Sequence, residues 1–234
     1  MSSKAEAAPV KERLLLVNVL VVAVCALVYE LLCGTLASYL LGDAVLQFSL
    51  VLGTYLFAMG AGAWLSKSLE GRAGSRYVQA ELVLAFVGGL SVPGLLLAVS
   101  AHLPLRPTLY AVVFLIGALV GVELPLLVKI LRTPADASTR ASPRFGDLVA
   151  RALAYDYVGA LAASLLFPLV LVPRLGLVRT SVVAGAVNAI IALSATFVIK
   201  VERPHLVRVA GALVLLVLAI TFFRGEAWVA GATD

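Results

Sequence analysis

Long apolar runs, separated by short polar segments, set the pattern of hydrophobic and polar positions along this chain. The first run, residues 14–41, is almost wholly apolar and contains a single charged residue, Glu30. About 20 helical residues cross the roughly 30 Å hydrocarbon core of a bilayer, so this run is long enough to span a membrane. The whole pattern predicts an all-α, polytopic transmembrane helix bundle of about seven spans. These spans lie at 14–41, 45–66, 79–101, 108–131, 148–172, 177–199 and 206–223.

The polar segments predict the domain organisation. Residues 1–13 are polar and basic and predict a cytoplasmic N-terminal tail. The apolar runs predict a transmembrane helical domain over residues 14–223, and residues 224–234 form the predicted C-terminal tail. The longest polar stretch, 132–147, is rich in Ser, Pro and Arg and predicts an exposed cytoplasmic loop. The first apolar run is too long for the core of a signal peptide, so we expect it to be retained.

Composition and charge narrow the class of protein. The chain is 62% hydrophobic and 13% charged, whereas soluble domains have about 45–50% apolar and about 25% charged residues. A soluble fold is therefore excluded. Of the 18 basic residues, 14 fall on the side of the N-terminus and the even-numbered loops, which predicts a cytoplasmic N-terminus. No basic cluster is interleaved with exposed aromatic residues, so we expect membrane lipid and no nucleic acid as a partner.

Three acidic residues lie inside the apolar runs. Glu30, Glu123 and Asp156 would each cost at least about 3 kcal/mol at membrane depth if ionised and unpaired. At 1.5 Å per residue, Glu123 and Asp156 both lie about 12 Å from the cytoplasmic side, so they share one level. Acids at such depth normally face a bundle interior or a water-filled cavity. We therefore take these three, with the flanking Tyr29 and Tyr155 as hydroxyl donors or cation–π faces, as candidate substrate- or cation-binding residues.

Three interpretations of these acids stay open at this point. The acids could bind a cation or a proton, they could be neutral and hydrogen-bonded, or they could pair structurally with Lys129 and Arg151, which lie nearby in sequence.

Small residues at four-residue spacing predict that some helices pack closely against a neighbour. These residues are Ala58, Gly62 and Ser66 in the second span, Gly117 and Gly121 in the fourth, and Ala160 and Ser164 in the fifth. The residues alone show no nucleophile–base constellation, no glycine-rich nucleotide loop and no cluster with metal-ligand spacing. They predict no catalytic residue, no metal and no cofactor.

Three blocks of sequence, in order, resemble a known family. They are CALVYELLCGTLASYLLGDAVLQFSLVLGTYLFAMGAGAWLS (25–66), GALVGVELPLLVKILR (117–132) and ALAYDYVGALAASLLFPLVLVPRLGLVRTS (152–181). They closely resemble the N-terminal membrane region of membrane-bound spermidine synthases, which are polyamine aminopropyltransferases. The likeness covers most of residues 14–223, and the three blocks contain the three candidate acids.

The resemblance implies an inner-membrane protein of polyamine metabolism. In that family a soluble aminopropyltransferase domain usually follows the membrane region and transfers an aminopropyl group from decarboxylated S-adenosylmethionine to putrescine. This sequence ends at Asp234 without the family's glycine-rich loop or acidic substrate-binding residues. We therefore expect either a fragment or a stand-alone membrane partner of a separate aminopropyltransferase domain or subunit, and no catalytic residue is carried over.

The leading hypothesis for function is a membrane module that binds, passes or channels polyamines at its buried carboxylates without a catalytic domain. One alternative is a cation- or proton-coupled transporter that acts without a synthase, since the helix pattern also resembles half of a major-facilitator-type transporter. Another is an inert anchor and docking platform for a separate synthase. The small-molecule partner expected is a polyamine or another small cation.

Overall fold

The computed structural model describes residues 2–131 and 143–233, with side chains for 14–69, 71–130 and 146–224. Each regular element within these residues is helical, which confirms the predicted all-α class. The eight α-helices are α1 Ser2–Leu41, α2 Ala44–Leu65, α3 Ala73–Gly89, α4 Ser91–Ser100, α5 Leu105–Leu131, α6 Pro143–Leu166, α7 Val172–Val198 and α8 Pro204–Thr233. A 3-10 segment, Ser66–Arg72, joins α2 to α3, and a π-helical segment, Phe167–Leu171, joins α6 to α7.

Five of the described helical stretches are long and apolar enough to cross a membrane, or six if the bent pair α3 and α4 is counted as one. The stretch from Gly146 to Val198 is one of the five, although it covers two of the predicted spans. Residues 132–142 of the predicted cytoplasmic loop lie outside the described residues. The remainder of that loop belongs to α6, which begins at Pro143 and therefore extends beyond the predicted span boundary at 148.

The bend between α3 and α4 follows from a proline. The two helices meet at Leu90 at an angle of 44°. Pro93 has no backbone N–H, so it cannot donate to the carbonyl of Gly89 one turn earlier. The hydroxyl of Ser181 on α7 donates to that Gly89 carbonyl at 3.1 Å. A neighbouring helix thus replaces the hydrogen bond that the proline removes.

Two turns depend on backbone conformations that few residues adopt. Gly176 has φ 72° and ψ 176° and breaks the helical path of α7 near its start, at the turn predicted between the fifth and sixth spans. Glycine reaches this conformation because it has no Cβ. Between α1 and α2, Gly42 and Asp43 both have positive φ. Asp43 also caps α2, because its side chain accepts the N–H of Leu46 at 3.1 Å.

Small residues bring α2 and α5 into close contact, as their spacing predicted. A Cβ added at Gly62 would collide with the backbone carbonyl of Ala118, and one at Gly121 would collide with that of Met59. Such a close backbone approach gives two helices extensive van der Waals contact where they cross.

The packing face of α6 differs from the predicted one. Ser164 is exposed, so Ala160 and Ser164 do not form the contact. Instead, Gly159 lies against the backbone carbonyl of Leu20 on α1, and Ala163, one turn along the same face, is fully buried. The small-residue rule was correct for this helix, but the register was shifted by one residue.

The first helix lies at the centre of the bundle and contacts α2, α5, α6 and α7. Its side chains Tyr29 and Leu32 are fully buried. By contrast, α2, α6 and α8 carry large apolar side chains on their outer faces, including Phe57, Leu161 and Phe223. The polar groups that matter for function must therefore be sought around α1.

Candidate functional site

Acidic side chains lie in the interior of the bundle on four helices. Glu81 on α3 and Glu123 on α5 are buried, with 0% and 4% of their surface exposed. Glu30 on α1 and Asp156 on α6 are partly buried. Carboxylates at such positions need hydrogen bonds, a cation or a proton, because burial of an unpaired charge is strongly unfavourable.

Glu81 owes its position to the close approach of α3 and α7. A Cβ added at Gly185 on α7 would lie 2.7 Å from the Cα of Gly89 on α3, so the two backbones pass one another with no room for a side chain. About one turn beyond Gly185, the Asn188 amide donates from Nδ2 to Glu81 Oε2 at 3.0 Å. The Tyr77 hydroxyl, one turn before Glu81 on α3, also interacts with this carboxyl group.

This pair is not fully satisfied. Glu81 Oε1 and Asn188 Oδ1 are both buried and have no hydrogen-bond partner among the described residues. Glu123 Oε1 is in the same situation, and Glu81 and Asp156 are both electrostatic neighbours of Glu123. The interior therefore presents unused acceptor atoms, which suit a proton, a water molecule or a small cation.

Glu123 and Asp156 face one cavity, as their common depth predicted. The cavity has a volume of about 70 Å³ and is lined mainly by apolar side chains of α1, α2 and α5, with the Tyr77 ring. Since a water molecule takes up about 30 Å³ in the liquid, the space holds about two waters or one ammonium-sized group.

The other predicted site residues lie elsewhere. Tyr29 is fully buried, its hydroxyl has no hydrogen-bond partner among the described residues, and Glu81 and Glu123 are its electrostatic neighbours. Glu30 and Tyr155 do not line the cavity. Tyr155 is 37% exposed, because adjacent residues on a helix point about 100° apart and its neighbour Asp156 faces inward.

A buried tyrosine lies within the electrostatic influence of all three predicted acids. Tyr55 on α2 has Glu30, Glu123 and Asp156 as electrostatic neighbours. Its hydroxyl donates to the backbone carbonyl of Ala26 on α1 at 3.2 Å. Only two of the three acids, Glu123 and Asp156, share the cavity.

The sequence interpretation missed Glu81 as a buried acid. It placed Glu81 at the start of a span beginning at 79, whereas α3 begins at Ala73 and puts this residue two turns inside the helix. The usable signal was Asn188, an amide within an otherwise apolar run of the predicted sixth span.

Arg151, which the sequence offered as a possible partner of the buried acids, forms an ion pair with the exposed Asp147 at 2.9 Å. Among the described residues, no group of three His, Cys, Asp or Glu side chains is placed to hold a metal ion.

Comparison with known proteins gives close relatives along most of the chain. It is 48% identical over 202 residues to polyamine aminopropyltransferase 2 of Ralstonia nicotianae, which covers 86% of this chain and 38% of that protein. It is 43% identical over 210 residues to the polyamine aminopropyltransferase of Leptospira interrogans, covering 89% of this chain and 41% of that protein. It is also 40% identical over 219 residues to polyamine aminopropyltransferase 1 of Streptomyces coelicolor. This match covers 91% of this chain and 40% of that protein.

The chain thus spans about two fifths of the length of these curated relatives. No family model matches the sequence, and no solved structure matches it. The relatives confirm the family that the three sequence blocks resembled.

The relatives also correct the functional hypotheses drawn from the sequence. A catalytically inactive module that binds or passes polyamines, a transporter without a synthase and an inert docking platform were all wrong. The homologues that cover most of this chain are named polyamine aminopropyltransferases, which contradicts these three hypotheses. Those hypotheses rested on the missing nucleotide loop, and a missing motif carries less weight than similarity along 86% of the chain.

Proposed function

The chain belongs to the polyamine aminopropyltransferase family, and on that premise we propose that it supplies membrane-embedded helices of an enzyme that transfers aminopropyl groups to polyamines. The observation that carries the proposal is the 48% identity over 202 residues to the Ralstonia nicotianae enzyme. The family resemblance implies decarboxylated S-adenosylmethionine as the aminopropyl donor and putrescine as the acceptor.

The arrangement proposed for the helices is one of seven crossings in the inner membrane, with the N-terminus in the cytoplasm. The stretch Gly146–Val198 has 53 residues and would measure about 80 Å as one helix, more than twice the thickness of a hydrocarbon core. It therefore crosses twice, with a turn at Gly176. With α3 and α4 counted as one bent span, the total is seven crossings. The exposed apolar faces of α2, α6 and α8 support this placement.

Within this enzyme, the cavity between Glu123 and Asp156 takes one ammonium-sized cation. Support comes from two carboxylates on an otherwise apolar wall, a volume of about 70 Å³ and the unpartnered Glu123 Oε1. Tyr29 acts as a neighbouring polar group behind Glu123. Glu30 and Tyr155 have no direct role at the cavity in this proposal.

Expression of the full-length gene in a bacterial strain without its own spermidine synthase tests the activity. The proposal predicts that spermidine, absent from the vector control, appears in the cellular polyamine profile. The proposal is wrong if the profile stays that of the vector control while the protein is present in the membrane fraction in normal amount.

The cavity is tested separately with methylammonium on the purified protein. We expect methylammonium to raise the melting temperature of the parent and of Asp147→Asn, an exposed carboxylate on α6 that serves as the matched control. Glu123→Gln should lose this response. Equal stabilisation of all three proteins would rule out the cavity as the cation site and would leave the enzymatic proposal untouched.

A further inference from the structure

A groove lined by arginines lies at one end of the bundle, where α3 begins and where the chain passes from α7 to α8. It has a volume of about 490 Å³. Its rim carries three guanidinium groups and one carboxylate, from Arg72, Arg76, Arg203 and Glu202. We call it the arginine groove. None of the buried acids lines it, and the proposed function makes no use of it.

The groove is built by tight backbone packing between its two walls. A Cβ added at Gly74, in the first turn of α3, would lie 2.6 Å from the carbonyl oxygen of Lys200. The Ser75 hydroxyl accepts the backbone N–H of Glu202 at 2.7 Å. Arg203 adopts φ 49°, the left-handed conformation that turns the chain into α8 at Pro204. The arginines are therefore held on a fixed frame.

The charge of the groove favours an anion. Three arginines face one carboxylate, and Lys200 lines an adjoining concavity. Arg72 pairs with Glu202 at 3.2 Å, but both side chains are more than half exposed, and exposed ion pairs contribute little stability. An incoming anion can thus compete for Arg72. Guanidinium groups match phosphate oxygens with two parallel hydrogen bonds, which makes phosphate the natural ligand chemistry.

The position of the groove indicates where the phosphate comes from. Leu206 and Val207, in the first turn of α8, line the same groove as the arginines, and the apolar stretch Pro204–Arg224 continues from there. The groove therefore has basic residues at its rim and apolar residues on its wall, and it lies at the end of helices that are long enough to cross a bilayer. Lipid headgroups lie at this level of a membrane. This end also carries basic residues of the side assigned to the cytoplasm, whose leaflet is rich in anionic lipid.

We propose that the arginine groove binds the phosphate group of an anionic phospholipid. The acyl chains of that lipid would then lie along the start of α8, beside Leu206. The inference shares with the proposed function only the placement of the helices in a membrane, and its test needs neither donor nor acceptor substrate. Failure of the enzymatic assay therefore has no bearing on it.

The test measures lipid binding to the purified full-length protein by native mass spectrometry, with phosphatidylglycerol compared with phosphatidylcholine. Each basic residue near an anionic surface contributes enough to change the affinity about five-fold. We expect Arg76→Gln and Arg203→Gln each to weaken phosphatidylglycerol binding about five-fold. Lys67→Gln is the matched control, because Lys67 is exposed and does not line the groove, and it should weaken phosphatidylglycerol binding less than either arginine variant does.

A gain of affinity keeps the test independent of misfolding. Glu202→Gln removes the one carboxylate of the groove and releases Arg72, so it should strengthen phosphatidylglycerol binding by a similar factor, about five-fold. The proposal is overturned if the two arginine variants bind phosphatidylglycerol as the parent does, or if phosphatidylcholine binds equally well. It is also overturned if glycerol phosphate in detergent occupies the groove as tightly as the lipid, since a free phosphate would then be the ligand.

Discussion

Replacing Asn188 by leucine removes the amide that donates to Glu81 Oε2 at 3.0 Å and nearly preserves the shape of the side chain. Both residues are fully buried, so solvent cannot take over the lost hydrogen bond. An orphaned buried acceptor costs about 1–3 kcal/mol, while interhelical hydrogen bonds measured in membrane proteins average about 0.6 and reach about 1.7 kcal/mol. Glu81 Oε1 is already without a partner among the described residues. We therefore expect the substitution to lower the free energy of unfolding by about 1.7 kcal/mol, the upper end of the range for membrane proteins.

Thermal unfolding of the purified protein in detergent measures this loss. For a chain of this size, 1 kcal/mol corresponds to about 2–4 °C, so Asn188→Leu should lower the melting temperature by about 3–7 °C. Ser194→Ala is the matched control on the same helix, because Ser194 is exposed and bonds only to its own preceding turn. It should change the melting temperature by less than about 1 °C.

A combined substitution separates the orphaned acceptor from a simple packing defect. Replacing all partners of a buried hydrogen-bonded group by apolar residues of similar size is nearly neutral. Because the Tyr77 hydroxyl also interacts with the Glu81 carboxyl group, the variant combines Glu81→Met and Asn188→Leu with Tyr77→Phe. It should melt at a higher temperature than Asn188→Leu alone. If the combined variant is instead less stable than the single one, or if the single one melts with the parent, the reasoning about Glu81 is refuted.

Three further predictions concern the packing of the bundle. Gly121→Ala forces a Cβ against the backbone of α2 and should cost about 1–3 kcal/mol in unfolding free energy, whereas Gly53→Ala, with open space around it, should be neutral. Ser181→Ala removes the donor to the Gly89 carbonyl and should cost about 1 kcal/mol, with hydrogen exchange at the α3–α4 bend rising selectively. Both cysteines are buried and free, so maleimide should label neither in the folded protein and both after denaturation; labelling of the folded protein would contradict the packing of α1.

The sequence sufficed to find the acids whose surroundings are wholly apolar. A carboxylate such as Glu123 or Asp156 stands out within a long apolar run, and counting the rise along each helix correctly brought the two together. Glu81 was missed because α3 begins within a polar segment, which made this residue look like a boundary acid. Tyr155 was selected for its proximity in sequence to Asp156, but the helical turn directs it to the surface.

Features that join distant segments could not be predicted from the pattern. The Asn188–Glu81 hydrogen bond depends on the close passage of Gly89 and Gly185, which only the pairing of α3 with α7 creates. The arginine groove likewise combines the start of α3 with the passage from α7 to α8. The functional hypotheses were wrong for another reason. They gave more weight to motifs that the sequence lacks than to the similarity of the chain to polyamine aminopropyltransferases.

Transfer of the aminopropyl group by the purified full-length gene product tests the central claim most directly. The protein in nanodiscs is supplied with decarboxylated S-adenosylmethionine, isotopically labelled in the aminopropyl group, and with putrescine, and the polyamines are analysed by mass spectrometry. The account predicts labelled spermidine, formed in proportion to the amount of protein that stays with the nanodiscs. Absence of labelled product from a folded, nanodisc-bound protein would contradict it.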